Sequence, residues 1–219
     1  MFRPRSYAPL ALALVFAAAS ARAEKETFLL DKNHTQIGFK VRHFVSKVGG
    51  HFAKFEGTIV LDRAKPEESS VDLKIDATSI DTGVANRDKH LNSADFFDTA
   101  KFPEITFKST KIAAKGKDAF EVTGDLTMRG VMKAVTLTVT SNGFTNDGRG
   151  GQKTGFDVAG KLNRKDFGVS WNAMVDQNAM LSDDVDLEIS VEANKPAPKP
   201  AAPPAPAAPA PASAAPATK

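Results

Sequence analysis

Cysteine is absent from the 219 residues. That excludes disulfides, thiolate metal sites, a cysteine nucleophile and a lipidated N-terminal cysteine. Tyrosine occurs once, at Tyr7, and tryptophan once, at Trp171. Between residues 24 and 194 there are only two prolines, Pro66 and Pro103, which leaves room for long hydrogen-bonded strands. No apolar run reaches the roughly 20 residues that a membrane-crossing helix needs. Useful basic charge is also scarce. The formal net charge of +3 and the pI near 9.0 belong to the ends of the chain. Residues 1–23 carry three Arg and no acid, and residues 195–219 carry three Lys and no acid. The middle holds 23 Lys and Arg against 26 Asp and Glu. A mildly acidic body argues against nucleic acid as a partner, because phosphate binding needs a concentrated basic face. G-x-S-x-G, S-x-x-K and H-E-x-x-H are all missing, and neither Thr127–Gly130 nor Gly148–Gly151 opens a helix. Familiar nucleophile, zinc-protease and phosphate-cradling arrangements are thereby excluded.

The two ends differ from the middle. Arg3 and Arg5 precede a short apolar stretch, Leu10 to Ala19, and Ala21-Arg22-Ala23 is an A-x-A site. This pattern predicts a secretory signal over 1–23, cleaved to leave Glu24 first, and hence a soluble periplasmic protein. Residues 195–219 hold nine Pro and eleven Ala and no aromatic. Such a tail cannot bury enough surface to offset its chain entropy, so it is expected to be extended and disordered. It reads either as a spacer or wall-tethering arm, or as a solvated segment with no partner.

Residues 24–194 read as one β domain. Val185, Leu187, Ile189, Val191 and Ala193 alternate with Asp186, Glu188, Ser190 and Glu192, a period of two with one wet face. Similar runs cover Phe28–Leu30, Thr35–His43, His51–Asp62, Val71–Ile80, Ile105–Ala113, Phe120–Arg129, Val131–Asn142 and Thr154–Arg164. Turn signals stand at Gly49-Gly50, Lys115-Gly116-Lys117, Arg129-Gly130 and Asn142–Gly151. Ala85–Asp98 lacks the alternation and predicts a short helix and loop across a barrel end; residues 165–183 form a second excursion. About nine short antiparallel strands imply a sandwich or a closed barrel, and closure removes exposed edges.

Thirteen Phe lie in this middle segment. Ile37, Phe39 and Val41 share one strand face, as do Ile105 and Phe107, and Phe156 and Val158. A Phe-rich, Tyr-free interior suits either an ordinary filled core or a cavity for a long hydrocarbon, since an eight-stranded barrel can do either. Four His occur. His34, His43 and His51 lie close in sequence and invite a metal reading, against which stands a plainer one of hydrogen-bonded strand ends. His34 and His43, nine apart, would face opposite sides of one strand, whereas His43 and His51 could meet across a hairpin. Acidic turns such as Asp95–Asp98 match no calcium loop. Arg87, Lys89 and His90 could meet a polar head group at a barrel mouth, or simply form a solvated helix face.

The order of several motifs resembles the YceI-like family. They are Asp31-x-x-His34-Thr35-x-Ile37-x-Phe39-x-Val41-x-His43, Gly50-x-Phe52-x-x-Phe55-x-Gly57, Arg87-Asp88-x-His90-Leu91, Asp95-Phe96-Phe97-Asp98 and Phe102-Pro103-x-Ile105-x-Phe107. Gly124-x-Leu126-Thr127-x-Arg129-Gly130-Val131 and Arg164-x-Asp166-Phe167-Gly168 follow. Thr35 stands where the family more often has Ser. The resemblance spans roughly residues 27–192. It implies an all-β fold: a lipocalin-like antiparallel β-barrel of about eight strands with an apolar tunnel, exported and holding a polyisoprenoid. On that basis the expected ligand is an isoprenoid lipid, either a quinone or a polyprenyl lipid, with no catalysis and no metal. The expected lining is Phe39, Phe52, Phe55, Phe96, Phe97 and Phe107, with Arg87 and His90 at the mouth. Two alternatives stand beside it: a ligand-free structural or stress-related module, and a metalloenzyme using His34, His43 and His51. The sequence alone says nothing of oligomeric state or of transient membrane or cell-wall contact. A spanning outer-membrane barrel is disfavoured, because the alternation puts charges on the outer face.

Overall fold

The computed structural model describes residues 24–175, 178–195 and 197. The expected signal segment lies outside the described residues, as does the expected tail apart from Lys195 and Ala197. The strands are β1 (Glu26–Leu30), β2 (Gln36–His43), β3 (Ser46–Phe52), β4 (Phe55–Leu61), β5 (Ser70–Asp76) and β6 (Ile80–Asp81). Helix α1 (Ala85–Asn92) follows, and then β7 (Glu104–Ala114), β8 (Ala119–Met128), β9 (Val131–Asn146) and β10 (Gln152–Asn163). A small hairpin, β11 (Met174–Val175) and β12 (Asn178–Ala179), precedes the last strand, β13 (Leu181–Lys195).

Eight strands close a ring in the order β1-β4-β5-β7-β8-β9-β10-β13, with β13 returning to β1. Every pairing is antiparallel. Period-two alternation supplies the interior: along β8, Val122, Leu126 and Met128 are buried while Thr123, Asp125 and Thr127 are less so. One core cluster gathers Ile37, Phe52, Ile105, Phe107 and Phe167, and a second gathers Phe28, Ile59, Phe156 and Ala193. Burying a side chain such as Phe28, which has no exposed surface, is worth about 1.5–3 kcal/mol.

Two of the expected runs are broken, each at one point, and a third bend lies between the separate runs that became β1 and β2. β1 and β2 both lie along β13, separated by Asp31–Thr35; Leu30 faces Ala193 and Gln36 faces Ser190. The predicted single run His51–Asp62 breaks at Ala53–Lys54 into β3 and β4. The run Val71–Ile80 breaks at a 3-10 turn, Ala77–Ser79, into β5 and β6. Side chains make these bends: the Thr35 hydroxyl donates to Glu192 O at 2.9 Å, and Ser79 Oγ accepts from Lys54 N at 2.9 Å. The strands left outside the ring, β2, β3 and β6, extend the wall past it, and β6 has no further strand partner among the described residues. The expected helix and loop over Ala85–Asp98 fill that place, as α1 and the loop that follows it.

Gly49-Gly50 is not the turn that its composition suggests. The β2–β3 turn lies at Phe44-Val45, with Phe44 at φ 50°, and both glycines are inside β3. Close approach is the reason: a Cβ on Gly50 would lie 2.6 Å from Phe39 Cζ.

Candidate functional site

Inward-facing side chains leave space inside the barrel. Two cavities of about 380 and 320 Å³ follow one another along it. They share Leu73, Phe107, Leu137 and Ile189, which form a waist between them. The first lies under α1, walled by Ile37, Phe39, Val41 and Phe52 from β2 and β3, and by Phe96, Phe97 and Trp171 from the two excursions. The second reaches the opposite end, walled by Phe120, Phe144, Phe156 and Val158, with Arg63, Lys117 and Asp118 at its rim. Arg63 stacks 3.9 Å over the Phe144 ring, so the far end is rimmed by a cation on an aromatic face.

Of the residues expected to line a tunnel, Phe39, Phe52, Phe96, Phe97 and Phe107 all border the first cavity, and Phe107 borders both. Phe55 borders neither. It is 6% exposed and packs in the core with Ile75, its cross-strand neighbour. It follows the break at Ala53–Lys54, and the one-strand reading of His51–Asp62 could not foresee that shift. Arg87 and His90 border the first cavity from α1. Arg87 Nε donates to Thr82 Oγ1 at 2.7 Å and Nη2 to Thr82 O at 2.8 Å. His90 Nε2 lies 2.9 Å from Asp95 Oδ2. The His90, Phe96 and Trp171 rings pack edge-on or tilted, with centroids 4.9–5.1 Å apart.

The mouth is held by two arginines that the sequence did not single out as site residues. Arg164, 5% exposed, donates from Nε to Ser182 O and from Nη1 to Val169 O and Trp171 O, at 2.7–2.9 Å. Its Nη2 is buried without a hydrogen-bond partner, 3.5 Å from Asp183 Oδ1. Burial pushes the Arg164 pKa down and Asp183 pushes it back. Arg129 donates to Gly168 O and, at 2.7 Å, to Ala94 O, so it ties the two excursions together across the opening. The available signal was position: each arginine directly precedes or begins a chain reversal.

His34, His43 and His51 do not converge. His51 lies opposite Gly38, five residues along β2 from His43, or about 17 Å at strand rise. Among the described residues, the one cluster with metal-ligand geometry is Asp31, His34 and Glu192, on the wall at the β1–β2 bend. A cation already sits beside both carboxylates: Lys153 Nζ is 2.5 Å from Glu192 Oε1 and 3.9 Å from Asp31 Oδ2.

The arrangement can enclose a long apolar chain and offers polar groups only at its ends. Among the described residues, no helix is long and apolar enough to cross a membrane. The YceI-like domain matches residues 28–193. The protein YceI of Escherichia coli is 41% identical over 180 residues, covering 82% of this chain and 91% of the relative. The crystal structure of the Campylobacter jejuni YCEI protein is 35% identical, with a TM-score of 0.62, covering 76% of this chain and 96% of that one. A polyisoprenoid binding domain from Saccharophagus degradans shares the fold, with a TM-score of 0.55 at 16% identity, covering 79% of this chain and all of that one. With the matched segment covering nearly the whole barrel, from β1 to β13, the chain belongs to the YceI-like domain family.

Proposed function

We propose that this chain is an exported lipid-binding protein, not an enzyme, which holds a long isoprenoid chain, quinone or polyprenyl lipid, in the barrel tunnel. One observation carries the reading: the two cavities of about 380 and 320 Å³ lie end to end on the barrel axis, and their walls are almost wholly aliphatic and aromatic. A filled-core module would not leave this space. The binding domain of Saccharophagus degradans, which has the same fold, supports the same class of ligand. Export to the periplasm rests on the signal-like residues 1–23. Desolvating an isoprenoid tail supplies the affinity. At about 25 cal/mol per Å², several hundred Å² of apolar chain is worth on the order of 10 kcal/mol before ordering costs. Phe39, Phe52, Phe96, Phe97 and Phe107 serve as wall, and Arg87 and His90 as the polar rim where a head group rests.

The test is native mass spectrometry of the mature protein, taken from the exported fraction without detergent. An adduct that fragments as an isoprenoid is the expected result. Phe39→Asp places a charge in the first cavity and should abolish the adduct while the barrel's circular dichroism persists. A bare mass from the wild-type protein, with no binding of added isoprenoid, overturns the reading.

A further inference from the structure

Bulky residues and glycines share one level of the barrel wall. On β5, β7, β9 and β13 the waist residues are Leu73, Phe107, Leu137 and Ile189. On β8 the inward position between Val122 of the second cavity and Leu126 of the first is Gly124. On β10 the position between Val158 of the second cavity and Leu162 of the first is Gly160. Each glycine lies under a waist side chain from the adjacent strand. A Cβ on Gly124 would lie 2.5 Å from Phe107 Cζ, and one on Gly160 would lie 2.6 Å from Leu137 Cδ2. Neither distance is tolerable, so the Phe107 ring and the Leu137 tip occupy space that any other residue would fill. Their ends therefore rest against the wall at the two glycines.

We propose that Gly124 and Gly160 determine the length of chain the tunnel accepts, by giving Phe107 and Leu137 niches in the wall that keep the waist passable. A chain too long for the first cavity then threads into the second. A methyl group at either glycine displaces a waist side chain toward the axis and closes the passage, leaving the first cavity for short chains only. This rests on the lipid-binding reading and adds to it the residues that set ligand length.

Gly160→Ala is the cleaner variant, because the atoms nearest the added carbon belong to the Leu137 and Leu187 side chains, whereas at Gly124 the Lys108 carbonyl is 2.5 Å away. The probes are farnesol, with fifteen carbons, and solanesol, with forty-five. Binding to delipidated full-length mature protein is read by native mass spectrometry and by emission of Trp171, the only tryptophan, which borders the first cavity. The wild type should bind both, and solanesol more tightly. Gly160→Ala and Gly124→Ala should hold farnesol within about twofold of wild type and weaken solanesol by at least about tenfold, as burial in the second cavity is lost. Leu137→Ala in the Gly160→Ala background removes the clashing side chain and should restore solanesol binding, a rescue that a general folding defect would not produce. Folded Gly160→Ala protein that binds both probes like the wild type overturns the proposal and leaves lipid binding intact. Wild-type protein that binds neither overturns both.

Discussion

Asp31 takes two kinds of support at the β1–β2 bend. Its carboxylate accepts from Asn33 N and from Asn194 Nδ2, both at 2.8 Å, and lies 3.1 Å from His34 Nδ1. The Asn194 and His34 side chains, with the Asn33 amide, hold its pKa far below the ordinary carboxylate range, against a smaller opposing effect of burial. A carboxyl whose folded pKa is depressed stabilises the fold above its unfolded value, near 3.9, and that stability fades as pH falls below it. Asp31→Asn keeps the shape and removes the charge. Urea unfolding should show a loss of about 1–2 kcal/mol at pH 7 and a smaller loss at pH 3, where the wild-type carboxylate has already surrendered part of its advantage. An equal loss at both pH values would mean that the charge is irrelevant to the bend. The D-x-x-H-T pattern is therefore readable as structure: Asp31 and Thr35 fix the strand break, and His34 is part of the outer network.

At the scale of elements, the mouth is the least self-sufficient part. α1 buries no residue fully, and among the described residues the excursion after β10 has only the two-residue strands β11 and β12, paired with each other. Arg164 compensates with three carbonyl contacts that gather Val169, Trp171 and Ser182. Arg164→Met keeps much of the volume and leaves these carbonyls without their donor. The expected cost is about 3 kcal/mol in equilibrium unfolding, with proteolytic nicking appearing first between residues 169 and 182. Unchanged stability would show that Asp183 and the chain's own packing hold the excursion. Arg129 acts on the same scale from the β8–β9 turn, where its φ of 50° aims it at both Ala94 and Gly168.

For the whole molecule, an open lumen means a native state with unfilled apolar volume. A ligand that enters it binds the folded chain and not the unfolded one. With free lipid at about a hundred times its Kd, linkage adds about 2.7 kcal/mol to stability, or roughly 5–10 °C in Tm for a domain of this size. Delipidated protein should therefore melt earlier than protein carrying lipid, and added farnesol should recover part of the difference. Identical melting of the two forms, with lipid shown to be present, would place the ligand outside the core.

Alternation and turn residues were enough to read antiparallel strands, as a sandwich or a closed barrel, with a short helical excursion, because period-two patterning reflects burial on one face and needs no knowledge of partners; the resemblance of the motifs selected the barrel. The motif order was enough to select Phe39, Phe52, Phe96, Phe97 and Phe107 as neighbours of one space. Tertiary structure alone decided the rest. The breaks at Ala53–Lys54 and Ala77–Ser79 are tied to each other by Lys54 N donating to Ser79 Oγ, and the anchoring of Thr35 comes from Glu192, partners that no local pattern contains. Phe55 packs in the core away from the tunnel because such a bend precedes it. Gly50 looked like a turn and is a berth for Phe39; Gly124 and Gly160 sit in uninterrupted strand runs and are berths for waist side chains. A glycine's role depends on what crosses over it, and that neighbour comes from another strand.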